Sequence, residues 1–522
     1  MDLALSGRVS RTLLTACLSL CVASFAQDVQ RNPKVITEIK HDVSLPLSVM
    51  AKNAPPPLPG SIIMREHASP KHLFHIEKGI DPVAQFETLP LVSTTNLLSF
   101  DGIDEAQGGA QPPDTNGSVG TTQFVLITNF DYSVYDKTGK VLLGPTRINN
   151  IWQGFGGQCQ TDNGGDPIAL WDKMAQRWLV EQLEYFGSTD LVCVAVSTSA
   201  DATGSYNRYS FSFGTALPDY PKISVWPDAY YLSVNNFGAG FGEPCALNRT
   251  AMLAGQSATM QCFTPNSANF SFMPSDLDGA TLPPTGSPAH FVELGNTNTT
   301  LNEYEFHVDF TNPNNSTFTG PHVITVPLYN QLCGGGNGAC IPQPSPGTLV
   351  DALGDRLMYR LAYRNFGDHE SMVVAHSVAS SAGAVAATRW YELRSTPPGG
   401  TFSLYQSGTL QQTGINVWMA SAAMDKVGNM AIGVSFDNTT NIFPSIAYTG
   451  RVPTDPLGKV ESPFIVVNGK GAETSSNRWG DYSSMSVDPS DDCTFWYSQM
   501  YYKTSGANWY THVNSFKFKS CN

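Results

Sequence analysis

The chain has 522 residues, a formal net charge of −14 and only 14% charged side chains, with 46 Gly, 35 Pro, 27 Phe and 20 Tyr. The acidic balance argues against nucleic-acid recognition, which calls for a concentrated positive surface. Short β-type runs cut by turn residues, with no long stretch of helical periodicity, point away from a helical protein and predict an all-β one.

At the N-terminus, Arg8 and Arg11 precede the apolar run Leu13 to Val22 and then Ala23-Ser24-Phe25-Ala26. This pattern reads as a secretory signal over residues 1–26, cut after Ala26. Leu14-Thr15-Ala16-Cys17 has lipobox-like residues, but that reading leaves almost no apolar core after Arg11. Cleavage after Ala26 removes two arginines and Asp2, leaving 28 basic against 43 acidic residues, a net of −15. That suits a secreted protein, extracellular or periplasmic. No later run approaches the roughly 18 apolar residues that a membrane span needs.

Eight cysteines remain, at 159, 193, 245, 262, 333, 340, 493 and 521. An even count in an exported chain reads as disulfides. Pairing nearest neighbours costs least in loop closure and joins 159 to 193, 245 to 262, 333 to 340 and 493 to 521. No CxxC pair or matching histidine spacing suggests structural zinc.

From Gln27 to about Pro90 the chain is Pro-rich, with Pro55-Pro56-Pro57 and Pro59, and reads as an extended leader. The folded domain is expected over 91–522. There one device recurs: an apolar strand, a turn containing Asp, and a second apolar or aromatic strand. It falls at 124–143, 168–183, 223–234, 290–310, 355–378, 422–436 and 484–500. Seven recurrences at roughly 45–70 residue spacing predict a single β-propeller of about seven four-stranded blades, with six or eight also compatible. In such a ring, loops at one end of the channel are free to carry function.

Several motifs together resemble a family of secreted bacterial β-propeller proteins, distantly sialidase/BNR-like. They are Pro112-Pro113-Asp114-Thr115-Asn116-Gly117, Gly165-Asp166-Pro167 with Trp171-Asp172, Tyr220-Pro221-Lys222 with Trp226-Pro227-Asp228, and Arg478-Trp479-Gly480-Asp481-Tyr482. The resemblance covers about residue 95 to the C-terminus and implies a propeller without implying one activity. The sialidase Asp-box, Ser-x-Asp-x-Gly-x-Thr-Trp, is only echoed by Ser486-Val487-Asp488 with Thr494 and Trp496, so no catalytic role is carried over from it.

The hairpin 355–378 is the densest chemistry in the chain. Arg356, Arg360 and Arg364 share one strand face, yet at roughly 3.3 Å per residue the outer two lie about 26 Å apart, so at most Arg364 belongs to a small-ligand site. Asp368, His369 and Glu370 at the turn could carry acid/base chemistry, with His369 the natural proton carrier; the bland reading is a solvated turn. Arg478, Asp481 and Tyr482 form a second candidate centre. In a sialidase-like scheme, Arg364, Arg389 and Arg478 would hold a carboxylate while a tyrosine and an acid perform the displacement. Asp162, Asp166, Asp488 and Asp491 offer the oxygen ligands that calcium prefers, without EF-hand spacing. Three functions stay open: binding of an extracellular glycan or other surface polymer, sialidase-like hydrolysis, and a non-catalytic envelope scaffold.

Overall fold

The computed structural model describes residues 28–53, 62–64, 76–77, 79–238, 240–265, 270–336, 338–381, 383, 385–506 and 508–522. The signal sequence and the Pro55–Pro59 run lie outside them. The strands form seven consecutive antiparallel units, each of four successive ladder neighbours. Their innermost strands are Asn116–Val119, Ile168–Asp172, Pro218–Val225, Met273–Leu277, Met358–Asn365, Asn416–Met424 and Ser484–Val487, in blades 1 to 7. Each packs beside the next, and the seventh packs beside the first, so the circle is closed. The inner strands of blades 4 and 5 even share a short parallel ladder, Ser275 to Leu277 against Leu361 to Tyr363. The fold is a seven-bladed propeller, and each recurrence of the strand, Asp turn and strand device falls in one blade.

The device forms for a local reason. In blade 2, Asp172 Oδ1 accepts the amides of Met174 and Ala175 at 3.1 and 3.0 Å, closing the turn between Ile168–Asp172 and Arg177–Glu184. Asp425 and Asp488 act likewise on Val427 and Ser490. An aspartate that satisfies its own turn amides leaves the flanking apolar residues free to pair across the ladder. The strands are buried on both faces because blades stack face to face, which is why they read as continuous apolar runs.

Blade 7 is completed by Thr94–Asp104, which pairs antiparallel with Trp509–Phe518 and so joins the two ends of the domain. The leader corrects the boundary expected at Leu91. Asp28–Arg31, Lys34–Thr37 and Lys40–Val43 add a fifth, outermost strand to blades 4, 3 and 2 in turn. An extended segment without a core of its own covers open sheet edges, which otherwise invite pairing with other chains. Farther on, Asp81 pairs with the fully buried Arg389 of blade 5, and Gln85 exchanges hydrogen bonds with Val460 of blade 6.

All four expected disulfides are formed: Cys159–Cys193, Cys245–Cys262, Cys333–Cys340 and Cys493–Cys521. The last ties the end of the ring-closing blade back to its own second strand over a separation of 28 residues. Cys493→Ser with Cys521→Ser should therefore lower the unfolding free energy by about 2–4 kcal/mol, read from the urea midpoint of the full chain. An unchanged midpoint would mean that strand pairing alone holds the closure. Among the described residues no helix is long and apolar enough to cross a membrane.

Candidate functional site

A residue with left-handed backbone lies within or up to five residues before each inner strand: Asp114, Asp166, Tyr220, Ser271, Leu353, Met419 and Gly480. Six of the seven are not glycine, so a strained conformation recurs once per blade. At this entry mouth the structure brings together Arg478, Asp481, Tyr482 and Asp166, four of the residues singled out in the sequence. It adds Asp114, Lys222 and Arg356, which the sequence showed only as motif or strand residues, and Glu181, Asp219, Asp351 and Asp355, which it did not single out.

Arg478 Nε lies 2.6 Å from Asp351 Oδ2, and its Nη2 bonds Asp481. The Asp481 amide donates to Asp114 Oδ1 at 2.7 Å. The Lys222 ammonium sits 3.6 and 4.2 Å from the ring centroids of Tyr220 and Tyr482, a cation held between two aromatic faces. Arg356 is paired with Asp355 at 2.9 Å. Tyr482 donates its hydroxyl to Pro167 O at 3.2 Å.

Seven carboxylates here (Asp114, Asp166, Glu181, Asp219, Asp351, Asp355, Asp481) face three cations (Lys222, Arg356, Arg478), nearly all of them buried. Burial, reinforced by Asp219 and Asp481, lifts the Asp166 carboxyl to about 7. Burial also raises Asp219 and Asp351, each to about 6, and holds Asp114 and Glu181 well above the usual carboxylate range. The same burial brings Lys222 down to about 8 against the pull of its acidic neighbours. The cluster therefore holds protons at neutral pH. Leader residues Ile62–Ile63 pair alongside Ala110–Gln111, and Met64 packs against Gly165 beside it.

The opposite, exit mouth is open. A cleft of ≈ 250 Å³ lies on the axis, lined by the turns of blades 1, 2, 4 and 7, among them Trp171, Lys173, Met174, Gln176, Leu282 and Asp492. It shares Trp171, Lys173 and Val487 with a narrower cavity of ≈ 20 Å³, room for about one water, that reaches inward to Tyr359 and Arg360. The floor is an ion relay: Lys173 Nζ to Asp278 at 3.0 Å, Asp278 to Arg360, and Arg360 Nη1 to Asp276 at 3.3 Å. Burial raises Asp276, whereas Arg360 and Lys173 overcome burial to hold Asp278 low. Arg364 stands at this rim in a two-pronged pair with Asp492, both contacts at 2.7 Å, with Met424 O accepting a third bond at 2.9 Å.

The other expected site residues lie elsewhere. Arg389 is fully buried against Asp81 and Thr409. Asp368 points to solvent and pairs with His369, whose ring stacks on Phe366 at 4.9 Å. Glu370 is buried under Tyr363 and the Gly399 amide. Arg364, Arg389 and Arg478 thus occupy the exit rim, the blade 5 and leader junction, and the entry cluster, each with its own acid, because residues on separate blades converge only at the same depth on the axis. The four aspartates that offered oxygen ligands for calcium lie in three places. Asp166 belongs to the entry mouth, while Asp488 and Asp491 sit at the blade 7 exit turn, engaged by Lys137 and Ser490 and by Cys493 and Thr494. Asp162 adjoins Glu184 in blade 2.

The mouth residues Lys173, Met174, Gln176, Leu282 and Asp492 were missed, though the Trp171-Asp172 motif stands directly before three of them. The signals for the entry cluster were Asp114, Asp166-Pro167 and Tyr220-Pro221-Lys222, each at the start of an inner strand.

No family model matches this sequence, and no curated protein matches it. Among solved structures, it is similar to a polysaccharide lyase, Uly1 (9% identity, 94% of this chain and 100% of that one, TM-score 0.35). It is also similar to an α-L-arabinanase of Penicillium chrysogenum (11%, 82% and 100%, TM-score 0.33) and an endo-arabinase of Bacteroides thetaiotaomicron (14%, 56% and 95%, TM-score 0.28). Of the resemblance read from the motifs, what stands is the propeller, and it stands on the strand pairing of this chain.

Proposed function

We propose that this is a secreted propeller that binds an extracellular glycan in the exit-mouth cleft. The observation that carries the reading is the cleft itself: an open cavity of ≈ 250 Å³ on the ring axis with a mixed lining, Trp171, Met174 and Leu282 beside Lys173, Gln176 and Asp492. A sugar ring has the matching amphipathic surface, its C–H face suited to an indole and its hydroxyls to amide, ammonium and carboxylate groups. Four disulfides fit the export route.

Binding fits the geometry better than sialidase-like hydrolysis. Arg478, the guanidinium such a scheme needs for a substrate carboxylate, is engaged by Asp351 and Asp481 in a buried cluster. A scaffold with a plugged channel fits less well, because the exit mouth is open. A glycan array probed with the full chain should give discrete saccharide hits, and the same preparation should leave a fluorogenic sialoside intact. An array without hits removes the glycan reading, and sialoside turnover replaces it with the hydrolytic one.

A further inference from the structure

Outside both mouths, blade 4 carries a second polar cluster. Ala289–Leu294 and Thr300–His307 pair so that His290 lies opposite Glu305 and Val292 opposite Glu303, which puts His290, Glu303 and Glu305 on one sheet face. The third strand, Thr317–Thr325, places His322 opposite Glu303 on that same face. His290 Nδ1 is 2.7 Å from Glu303 Oε1, and ligand atoms of His290, Glu303 and Glu305 all lie within 4.8 Å of one another. The ring of His290 is wedged edge-on between Phe402 and Trp226, at 4.7 and 6.3 Å between centroids, so its orientation is set by packing. His290 and Glu303 are buried, whereas Glu305 and His322 are half-exposed, which leaves a path from solvent.

From this arrangement we infer that blade 4 holds a divalent transition-metal site of the Zn²⁺ class, with His290, Glu303, Glu305 and His322 as its ligands. Two carboxylates lie side by side on a half-buried face, and among the described residues the groups beside them are the imidazoles of His290, paired with Glu303, and His322 rather than a lysine or arginine. Their neighbours are imidazoles, the nitrogen donors that zinc-type ions prefer over calcium. Ligand atoms about 2.0–2.2 Å from a tetrahedral ion stand roughly 3.4 Å apart, so the observed spacing closes onto an ion by side-chain movement alone. The second group of this kind, Glu243 with Cys245 and Cys262, is ruled out because its two sulfurs are joined in a disulfide.

The ligands come from three strands and, for the histidines, sit at positions 290 and 322, so no short motif marks them. The site stands apart from the glycan reading, and either can fail alone.

The test uses the full oxidised chain, stripped with chelator and titrated with Zn²⁺, and with Co²⁺ for its visible absorption. One equivalent should bind per chain, with the absorption of four-coordinate Co²⁺ and a Zn²⁺-dependent rise in Tm. Glu305→Gln and His322→Gln, both at half-exposed positions, should each weaken binding at least tenfold while keeping the metal-free Tm. Uptake below one equivalent at micromolar Zn²⁺, or uptake that both variants retain with wild-type affinity, would overturn the site.

Discussion

Arg478→Met should lower the unfolding free energy by about 3–5 kcal/mol, because it leaves Asp351 and Asp481 buried on the axis without their shared cation. The loss should come from the unpaired acids rather than from the missing methylenes. Adding Asp351→Asn and Asp481→Asn to Arg478→Met should therefore recover most of it. A triple variant as unstable as the single one would show that the cluster matters through packing and not through charge. Denaturant midpoints of the three proteins decide the matter, since the entry mouth is remote from the open cleft.

Lys222→Met should produce a defect that grows with pH. Asp166 titrates at about 7 in the fold, and Asp219 and Asp351 at about 6, all raised by burial. An acid whose folded pKa exceeds its unfolded value of about 4 holds more protons when native, so its contribution to stability falls as pH rises from about 4 to about 7. Lys222, caged by Tyr220 and Tyr482, moderates that fall through its charge on Asp166, Glu181 and Asp114. Without it those carboxyls ionise at still higher pH. The gap between wild type and variant should be small near pH 4, where the acids are protonated in both, and reach about 3–5 kcal/mol by pH 7.5. Lys222 itself is depressed to about 8, so its own contribution rises with pH only between about 8 and 10.5, above this window. A gap that does not change from pH 4 to pH 7.5 would remove the electrostatic role.

The blades were legible because their signals are local. The Asp turn, the apolar run before it and the aromatic run after it lie within about twenty residues, as Ser484–Val487 and Thr494–Tyr502 do on either side of the Asp488 turn. Nearest-neighbour disulfides follow from the same locality. The role of the leader was not legible, since Asp28–Arg31 and Lys40–Val43 look like polar linker and become strands only because blades 4 and 2 present open edges. The hairpin 355–378 shows where local reading stops. Its arginines are paired, as buried charge requires, but Arg360 and Arg364 find Asp276, Asp278 and Asp492 from blades 4 and 7 rather than the nearby Asp368 or Glu370. Both axial clusters are assembled from residues far apart in the chain, so their members could be named singly from motifs while their meeting required the ring.

The most direct measurement is the calorimetric Kd of a saccharide found on the array, compared between wild type and Met174→Ala with Gln176→Ala. These two side chains line the cleft and belong to no ion pair of its floor. The proposed site predicts binding at least tenfold weaker in the double variant, about 1.4 kcal/mol, with the chain still fully folded at the assay temperature. Equal affinity in the two proteins would place the ligand elsewhere on the ring and contradict the exit mouth as the functional face.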